Sequence, residues 1–237
     1  MSKDWAKTFT GGLTIEHLCL PNIIPIGEVF ILLSLIGFVL LGLLILNIHQ
    51  FLAKNAPIAA EILVVEGWLP DYAIEAAIHE FRHGSYQQLV TIGGPIPRGS
   101  YLFEYQTFAE LAAATLTKIG LEPQYLVAIP YNGPGVSRTD DSATALKAWL
   151  TLTNLQINSL NLFTLGTHSR RSWILFKQAF EPQVKIGVIA IAPRHYDPQI
   201  WWKSSEGSRT LLSEFIAYVY TRLFIANILS RIEIRLF

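Results

Sequence analysis

Five short runs of apolar residues, separated by segments with helical periodicity, constrain the fold of this chain most strongly. The predicted strands are Ile62–Val65, Leu89–Ile92, Tyr125–Ile129, Asn161–Leu165 and Lys185–Ile191, and the predicted helices between them are Tyr72–His83, Tyr105–Ile119, Asp140–Leu152 and Ser169–Phe180. Uninterrupted apolar strands are typical of parallel sheets covered on both faces, and the intervening helices supply the crossover connections. The pattern therefore predicts an α/β domain with a Rossmann-like parallel sheet of about five strands and helices on both faces.

A long apolar segment precedes this predicted domain. No charged residue occurs between Val29 and Leu46, and the run from residue 23 to residue 48 exceeds the ~20 residues that cross a hydrocarbon layer of ~30 Å. The segment is longer and starts later than the apolar region of a signal peptide, and no small-x-small cleavage site follows it. We therefore expect an N-terminal tail over residues 1–22, one transmembrane helix over 23–48, a linker over 49–60 and the α/β domain over 61–209.

The flanking charges predict how this helix is oriented. Lys3, Lys7 and the amino terminus precede the span, whereas only Lys54 follows it closely. Because positive charges are enriched on the cytoplasmic side, the tail is predicted to be cytoplasmic and the main domain extracytoplasmic. The sequence thus predicts a single-pass protein of the inner (plasma) membrane, with the lipid bilayer as its first partner.

Residues 210–237 form a third predicted unit. Apolar residues recur there at helical spacing, but the segment also contains Glu214 and Arg222. A charge at the centre of a spanning helix costs ~2.5 to 3.5 kcal/mol, which disfavours a second span. We expect a helix that is packed on the domain or lies on the membrane surface.

Charge and cysteine content exclude several classes of function. The formal net charge is +0, and nucleic-acid binding instead relies on an excess of Lys and Arg placed against phosphates. The single cysteine, Cys19, cannot form a disulfide within the chain or a cysteine-based zinc site. His79 and His83 are at helical spacing, but no third ligand is spaced beside them. We therefore expect neither a nucleic-acid partner nor a bound metal.

The candidate site lies where the predicted strands end, because the carboxyl ends of parallel strands meet at one edge and the ligand crevice lies outside it. His168 and Arg171 follow the fourth strand at the start of a helix. Three residues apart, they share a helical face and are placed to grip one carboxylate or phosphate together. The alternative is that His168 caps or packs and that Arg171 is a solvated surface charge.

Other polar and glycine residues at the strand ends complete the candidate set. Glu66 ends the first strand and is placed to hold a hydroxyl or amine, or to pair with Arg98 or Arg194. The Gly93-Gly94 pair permits close approach of a ligand to the backbone, or forms an ordinary turn. Ser137, Thr139 and Asp141 precede or begin the third helix, where a ligand role and simple N-capping are both open. The loop lacks the second glycine of a nucleophile elbow, which argues against a serine hydrolase.

The order of these motifs resembles that of the ElyC/SanA/YdcF family. The shared features are the strand that ends in Gly93-Gly94, the loop with Ser137, Thr139 and Asp141 that opens a helix, and the strand that leads into His168 and Arg171. The resemblance covers about residues 61–223. The chain departs from the family pattern at Ile92, Asp141, Ser142 and Ser169, where the family has Ser, Glu, Asn and Met.

This resemblance implies a Rossmann-like domain, often behind a membrane anchor, that acts in cell-envelope biogenesis. Our first hypothesis is that the strand-end rim binds an anionic, phosphate-bearing small molecule or lipid-linked precursor. The second is a non-catalytic subunit or partner of a membrane protein assembly. The third is an enzyme that uses a nucleotide or S-adenosylmethionine, for which the Rossmann-like topology is an analogy only. The residues themselves identify no cofactor.

Overall fold

A computed structural model describes residues 26–97, 104–132 and 137–235 of the chain, so the predicted tail over residues 1–22 and Arg98 lie outside the described residues. The α/β fold class is confirmed. The strands are β1 (Ile62–Glu66), β2 (Gln88–Gly93), β3 (Leu126–Pro130), β4 (Ser159–Leu165) and β5 (Lys185–Ile191). The helices are α1 (Ile26–Leu52), α2 (Asp71–His83), α3 (Phe108–Lys118), α4 (Arg138–Thr153), α5 (Ser169–Phe180) and α6 (Ser205–Arg235).

All five strands belong to one parallel sheet with the order β3-β2-β1-β4-β5. From the central strand β1, the chain first builds outward through β2 to β3 and then crosses to the opposite side of β1 to form β4. The direction of winding therefore reverses between β1 and β4. In open α/β sheets this switch point is where the loops diverge and leave a crevice for a ligand.

The strands are apolar throughout because the sheet is covered on both faces. Alternate residues of β1 point to opposite faces, so Val64 packs in the cluster that contains Leu146 of α4 and Phe176 of α5. Leu63 packs in the other cluster, with Ile74 of α2 and with side chains of α3. All five of these side chains are almost completely buried, and the two layers of helices hold the strand ends in a fixed register.

The N-terminal apolar helix is divided between two compact units, which cover residues 1–44 and residues 45–237. Its segment Gly27–Leu52 is long and apolar enough to cross a membrane. The helix continues beyond the expected end at residue 48, so that the first residues of the expected linker are helical. Ile48 and Leu52 of this last part are buried in a cluster with Leu211 of α6.

Helix α6 begins at Ser205, somewhat earlier than the residue 210 expected from the sequence, and packs against α5 and the helical turn Pro198–Lys203. Leu211 is buried, and Phe215 is partly buried beside it. This contact places the inner face of α6 next to the carboxyl ends of the central strands, where Glu214 enters the candidate site.

Candidate functional site

A cavity of about 720 Å³ opens at the carboxyl ends of the central strands. Its walls come from the ends of β1 and β2, from the residue that follows β3, from the first turns of α3, α4 and α5, and from α6. The lining residues are Glu66, Trp68, Ile92, Gly93, Gly94, Pro95, Phe108, Tyr131, Ser137, Arg138, Thr139, Ser142, His168, Arg171, Glu214 and Ala217. The cavity thus lies at the switch point of the sheet, as expected for a ligand site in this topology.

The structure brings most of the sequence-predicted residues together here. Those that line the cavity are Glu66, Gly93, Gly94, Ser137, Thr139, His168 and Arg171. Asp141 is not among the lining residues. It is half-buried in the first turn of α4, where a carboxylate interacts favourably with the positive end of the helix dipole. The position of Asp141 in the motif therefore does not place it at this cavity.

Glu66 is a buried carboxylate with several donors around it. Glu66 is 2% exposed. Its carboxylate accepts hydrogen bonds from the hydroxyls of Thr164 and Ser172, and the bond from Ser172 is 3.1 Å long. The Nε2 atom of His168 lies 3.5 Å from its Oε1. Since a buried charge must be paired and hydrogen-bonded, this set of contacts explains how Glu66 is tolerated at the end of an apolar strand.

Arg194, one of the two arginines expected as alternative partners of Glu66, does not pair with it. The guanidinium of Arg194 lies over the ring of Tyr72, with 4.5 Å between its central carbon and the ring centroid. His195, which follows β5 by four residues, lines a smaller cavity of about 260 Å³ that shares Trp68, His168 and Glu214 with the main cavity. The loop that follows the fifth strand therefore contributes to this neighbouring cavity.

His168 lies between two carboxylates. Its Nδ1 atom donates to Oε1 of Glu214 at 2.9 Å, while its Nε2 atom faces Glu66 and lies 3.5 Å from the hydroxyl of Thr139. The ring of Trp68 packs edge-on against the imidazole, with 5.0 Å between centroids. Contacts with Glu214, with Glu66 and Thr139, and with Trp68 therefore fix the orientation of the imidazole ring, and its Nδ1 atom is bound to Glu214.

Arg171 is also bound to Glu214. Its Nε atom donates to Oε2 of Glu214 at 3.0 Å, and a terminal nitrogen donates to the Thr139 hydroxyl at 3.3 Å. A second terminal nitrogen lies 3.0 Å from Nδ1 of His168, which cannot accept a hydrogen bond when the imidazole is protonated. Glu214 is therefore the acceptor that His168 and Arg171 share, and both cations are already neutralised by carboxylates of the chain.

These contacts determine the protonation states. Burial lowers the pKa of His168, but the carboxylates of Glu66 and Glu214 outweigh it and raise the pKa from 6.5 to about 9. Burial raises the pKa of Glu214, whereas His168 and Arg171 oppose this and lower it from 4.5 to about 2. Burial likewise raises the pKa of Glu66, but His168 and the hydroxyl donors outweigh it and leave the pKa below 4.5. At neutral pH the four side chains therefore carry two positive and two negative charges.

The Gly93-Gly94 pair is required by close packing in the protein itself. Neither residue has a positive φ angle. A Cβ atom on Gly93 would lie 2.7 Å from the Cβ of Phe108 and 2.8 Å from the backbone nitrogen of Ala109, and one on Gly94 would lie 2.8 Å from the ring of Tyr131. The glycines thus let the start of α3 and the Tyr131 ring approach the sheet edge and define the floor of the cavity.

The start of α4 forms another wall of the cavity. Ser137 caps the helix, since its hydroxyl accepts from the backbone nitrogen of Asp140 at 3.2 Å. The Tyr131 hydroxyl donates to the carbonyl oxygen of Arg138 at 2.8 Å, and the Ser142 hydroxyl donates to the same oxygen at 3.0 Å. The Arg138 residue is exposed, and its side chain has no ion-pair partner among the described residues. This wall therefore presents an unpaired cation at the positive end of a helix.

Sequence reasoning missed Glu214 and Arg138 as site residues. Glu214 was considered only as a charge that disfavours a second membrane span. A carboxylate on the inner face of a mostly apolar helix was itself a signal, because a buried carboxylate requires a cationic partner on the element it packs against. Arg138 lies between two predicted site residues, Ser137 and Thr139, and its charge was the signal there. Within the described ranges, no group of His, Cys, Asp and Glu side chains is placed to hold a metal ion.

No protein-family model matches this sequence, and no significant match is found among curated proteins.

Proposed function

We propose that this chain is a membrane-anchored, ElyC/SanA/YdcF-like domain that binds a phosphate-bearing small molecule or lipid-linked precursor in the strand-end cavity and acts in cell-envelope biogenesis. The observation that supports the anionic ligand is the unpaired Arg138 on the cavity wall. His168 and Arg171 are neutralised by Glu66 and Glu214, so among the described residues the ionisable groups that line the cavity carry an excess of one positive charge, and that charge belongs to Arg138.

The position of Arg138 strengthens this proposal. It is the first residue of α4, and the first-turn N–H groups of a helix have no partners within the helix. A phosphate oxygen placed there would accept from the guanidinium and from the first N–H groups of the helix, which precede the Asp140 N–H that Ser137 already accepts. This changes the hypothesis that His168 and Arg171 together bind the anion. In the present proposal these two side chains, paired with Glu66 and Glu214, shape one wall of the cavity, and the anion binds toward the start of α4.

Binding of simple phosphates tests the proposal. The full chain, purified in mild detergent, is expected to bind inorganic pyrophosphate or a polyprenyl phosphate in calorimetric titration. Arg138→Ala should lose about 1.5–3 kcal/mol of binding free energy, which is the contribution of a hydrogen bond to a charged group. This loss corresponds to an affinity that is about 10- to 150-fold weaker. The matched control is Arg209→Ala, which removes an exposed arginine whose ion pair with Glu206 lies outside the cavity lining.

Each other outcome favours a different function. Equal affinity of the wild type and Arg138→Ala would contradict the assignment of Arg138. Failure of the wild type to bind any phosphate, with tight binding of S-adenosylmethionine, would favour the cofactor enzyme instead. A protein that co-purifies in fixed ratio with the unliganded chain would favour the non-catalytic subunit. Nucleotide binding that is lost in Arg138→Ala would retain the anionic site and change its ligand.

We also propose that the chain is a single-pass protein of the plasma membrane with an extracytoplasmic domain. The support is the charge distribution around the apolar helix, which has Lys3 and Lys7 before it and Lys54 after it. Pro57 is exposed in the segment that follows the helix, and cleavage in this segment would report on which side of the membrane the domain lies. Protease added to intact spheroplasts should cut near Pro57 and release the domain. Protection that is lost only after lysis would reverse the orientation and bring the cavity to the side of cytoplasmic nucleotides.

A further inference from the structure

We propose that the outer face of α6 lies on the lipid bilayer and forms a second membrane contact, in addition to α1. The contact surface is an apolar stripe made of Leu212, Ile216, Val219, Tyr220 and Leu223. This inference rests on the proposed membrane span of α1, but not on the ligand proposed for the cavity, because it concerns a different face of α6.

The stripe occupies one side of α6. Its residues follow one another at intervals of three and four, with Tyr220 beside Val219, and this spacing places them on a single face of a helix. They are exposed by 37–67%. On the inner side of the same helix, Leu211 is 1% and Thr221 is 8% exposed. The domain therefore covers one face of α6 and leaves the apolar face exposed. Single exposed apolar residues are common on protein surfaces, but a contiguous apolar stripe indicates a contact surface.

The end of α1 identifies the occupant of this face. The segment Gly27–Leu52 spans about 39 Å at 1.5 Å per residue, which exceeds the ~30 Å thickness of the hydrocarbon layer. The last turns of α1 therefore reach the edge of this layer. They pack on α6: Leu52 is buried in a cluster with Leu211, and the Phe51 ring lies 5.4 Å from the Tyr218 ring. Helix α6 thus adjoins the place where the chain leaves the membrane.

Side chains around this junction have the character of a membrane interface. The guanidinium of Arg170 lies over the Phe51 ring, 3.9 Å from its centroid, and its Nε atom donates to the Phe51 carbonyl oxygen. Arginine and aromatic side chains are favoured at headgroup level, where the ring is partly buried and the charge is solvated or meets a lipid phosphate. These contacts all lie within the unit that contains α6, and they place the start of the apolar face beside side chains suited to headgroup level.

Two faces of one helix would then connect the membrane with the cavity. The inner face of α6 carries Glu214, which binds His168 and Arg171, and the outer face carries the apolar stripe. Membrane contact along the stripe therefore orients the element that forms one wall of the cavity, and it positions the cavity close to the lipid surface.

Site-specific fluorescence tests the contact. In a Cys19→Ser background, which removes the only native cysteine, Ile216→Cys and Tyr220→Cys are each labelled with an environment-sensitive dye. The full chain is reconstituted in vesicles of phosphatidylcholine and phosphatidylglycerol in equal parts, with and without lipid that carries a nitroxide on the upper acyl chain. The matched control is Thr117→Cys, an exposed site on α3, a helix that packs on α2, β2 and β3.

The expected result is a blue-shifted emission at residues 216 and 220 and its loss with nitroxide lipid, because interfacial helices bury their apolar face about 5–10 Å into the headgroup and acyl boundary. The Thr117 label should show neither effect. Quenching at residues 216 and 220 no stronger than at residue 117 would overturn the proposal. A blue shift without quenching by lipid would also overturn it, since a second copy or another protein would then cover the stripe.

Discussion

Two sides of one cavity handle charge in opposite ways. On one side, Glu66, His168, Arg171 and Glu214, which we call the charged cluster, carry four charges that neutralise one another. On the other side, Gly93, Gly94, Ser137 and Arg138, which we call the open side, carry one exposed cation and a helix start. Both sides line the same crevice, but only one has an uncompensated charge to offer a ligand.

The difference follows from burial. Charges removed from water must find partners within the protein, so the charged cluster ties together β1, α5 and α6 through specific contacts. Arg138 remains in contact with water and needs no partner, which leaves its guanidinium available. His168 and Arg171, the residues most conspicuous in the sequence, therefore set the shape of the site, while the less conspicuous Arg138 sets the charge that a ligand meets.

The largest expected effect comes from breaking the charged cluster at its most buried member. Glu66→Ala should lower the free energy of unfolding by about 3 kcal/mol, because it leaves the buried His168 with a single carboxylate partner and orphans the Thr164 and Ser172 hydroxyls. Chemical denaturation of the full chain in detergent micelles measures this change. A loss below about 0.5 kcal/mol would mean that the cluster does not depend on Glu66.

Two further variants sharpen that measurement. Glu75→Ala removes an exposed carboxylate of α2 and should change stability by no more than about 0.5 kcal/mol. Glu66→Gln keeps an acceptor for the two hydroxyls but removes the charge, so its loss should lie between those of Glu75→Ala and Glu66→Ala. The ranking of the three variants separates the lost charge from the lost hydrogen bonds.

The sheet could be predicted closely because its causes are local. Each strand needed a short apolar run and each helix a periodic face, and both are readable in adjacent residues. Residues that follow the strands gather at one edge by topology alone, which is why Glu66 and His168 were expected near each other. The position of Asp141 outside the cavity lining could also have been predicted. Asp141 follows Thr139 by two positions, and residues at that spacing point to different sides of a helix. Ser142 follows Thr139 by three positions and lies on the same side as Thr139.

The pairing within the charged cluster could not be predicted in the same way. Glu214 binds His168 across 46 residues and Arg171 across 43 residues of sequence. That contact depends on how α6 packs against α5, and many helical registers would satisfy the apolar pattern of α6 equally well. Only one register puts the carboxylate opposite both cations, and the sequence states the register nowhere. The neutralisation of the predicted anion grip was therefore visible only in three dimensions.

A smaller effect is expected when the charged cluster loses one proton while its side chains stay in place. Because the folded-state pKa of His168 is raised to about 9, the stabilisation from its protonation is complete below its ordinary value of 6.5 and is lost as the pH rises through about 9. Glu214 acts in the opposite direction: its pKa is lowered to about 2, so its contribution is complete above 4.5 and is lost as the pH falls through about 2. Stability from the two groups together is greatest between these limits, at about pH 4.5 to 6.5.

The alkaline limb can be isolated with His168→Gln, which cannot titrate. Denaturation midpoints of the full chain in detergent micelles are compared between pH 6 and pH 9.5, and the quantity of interest is the difference between wild type and variant, since other groups titrate in both. That difference should shrink as the pH rises, because deprotonated His168 no longer attracts Glu66 and Glu214, although Arg171 continues to pair with Glu214. The Arg138→Ala variant on the open side should follow the wild-type pH profile, because its cation takes no part in the cluster. A wild-type advantage that is constant over this range would show that His168 is held by packing against Trp68 rather than by charge.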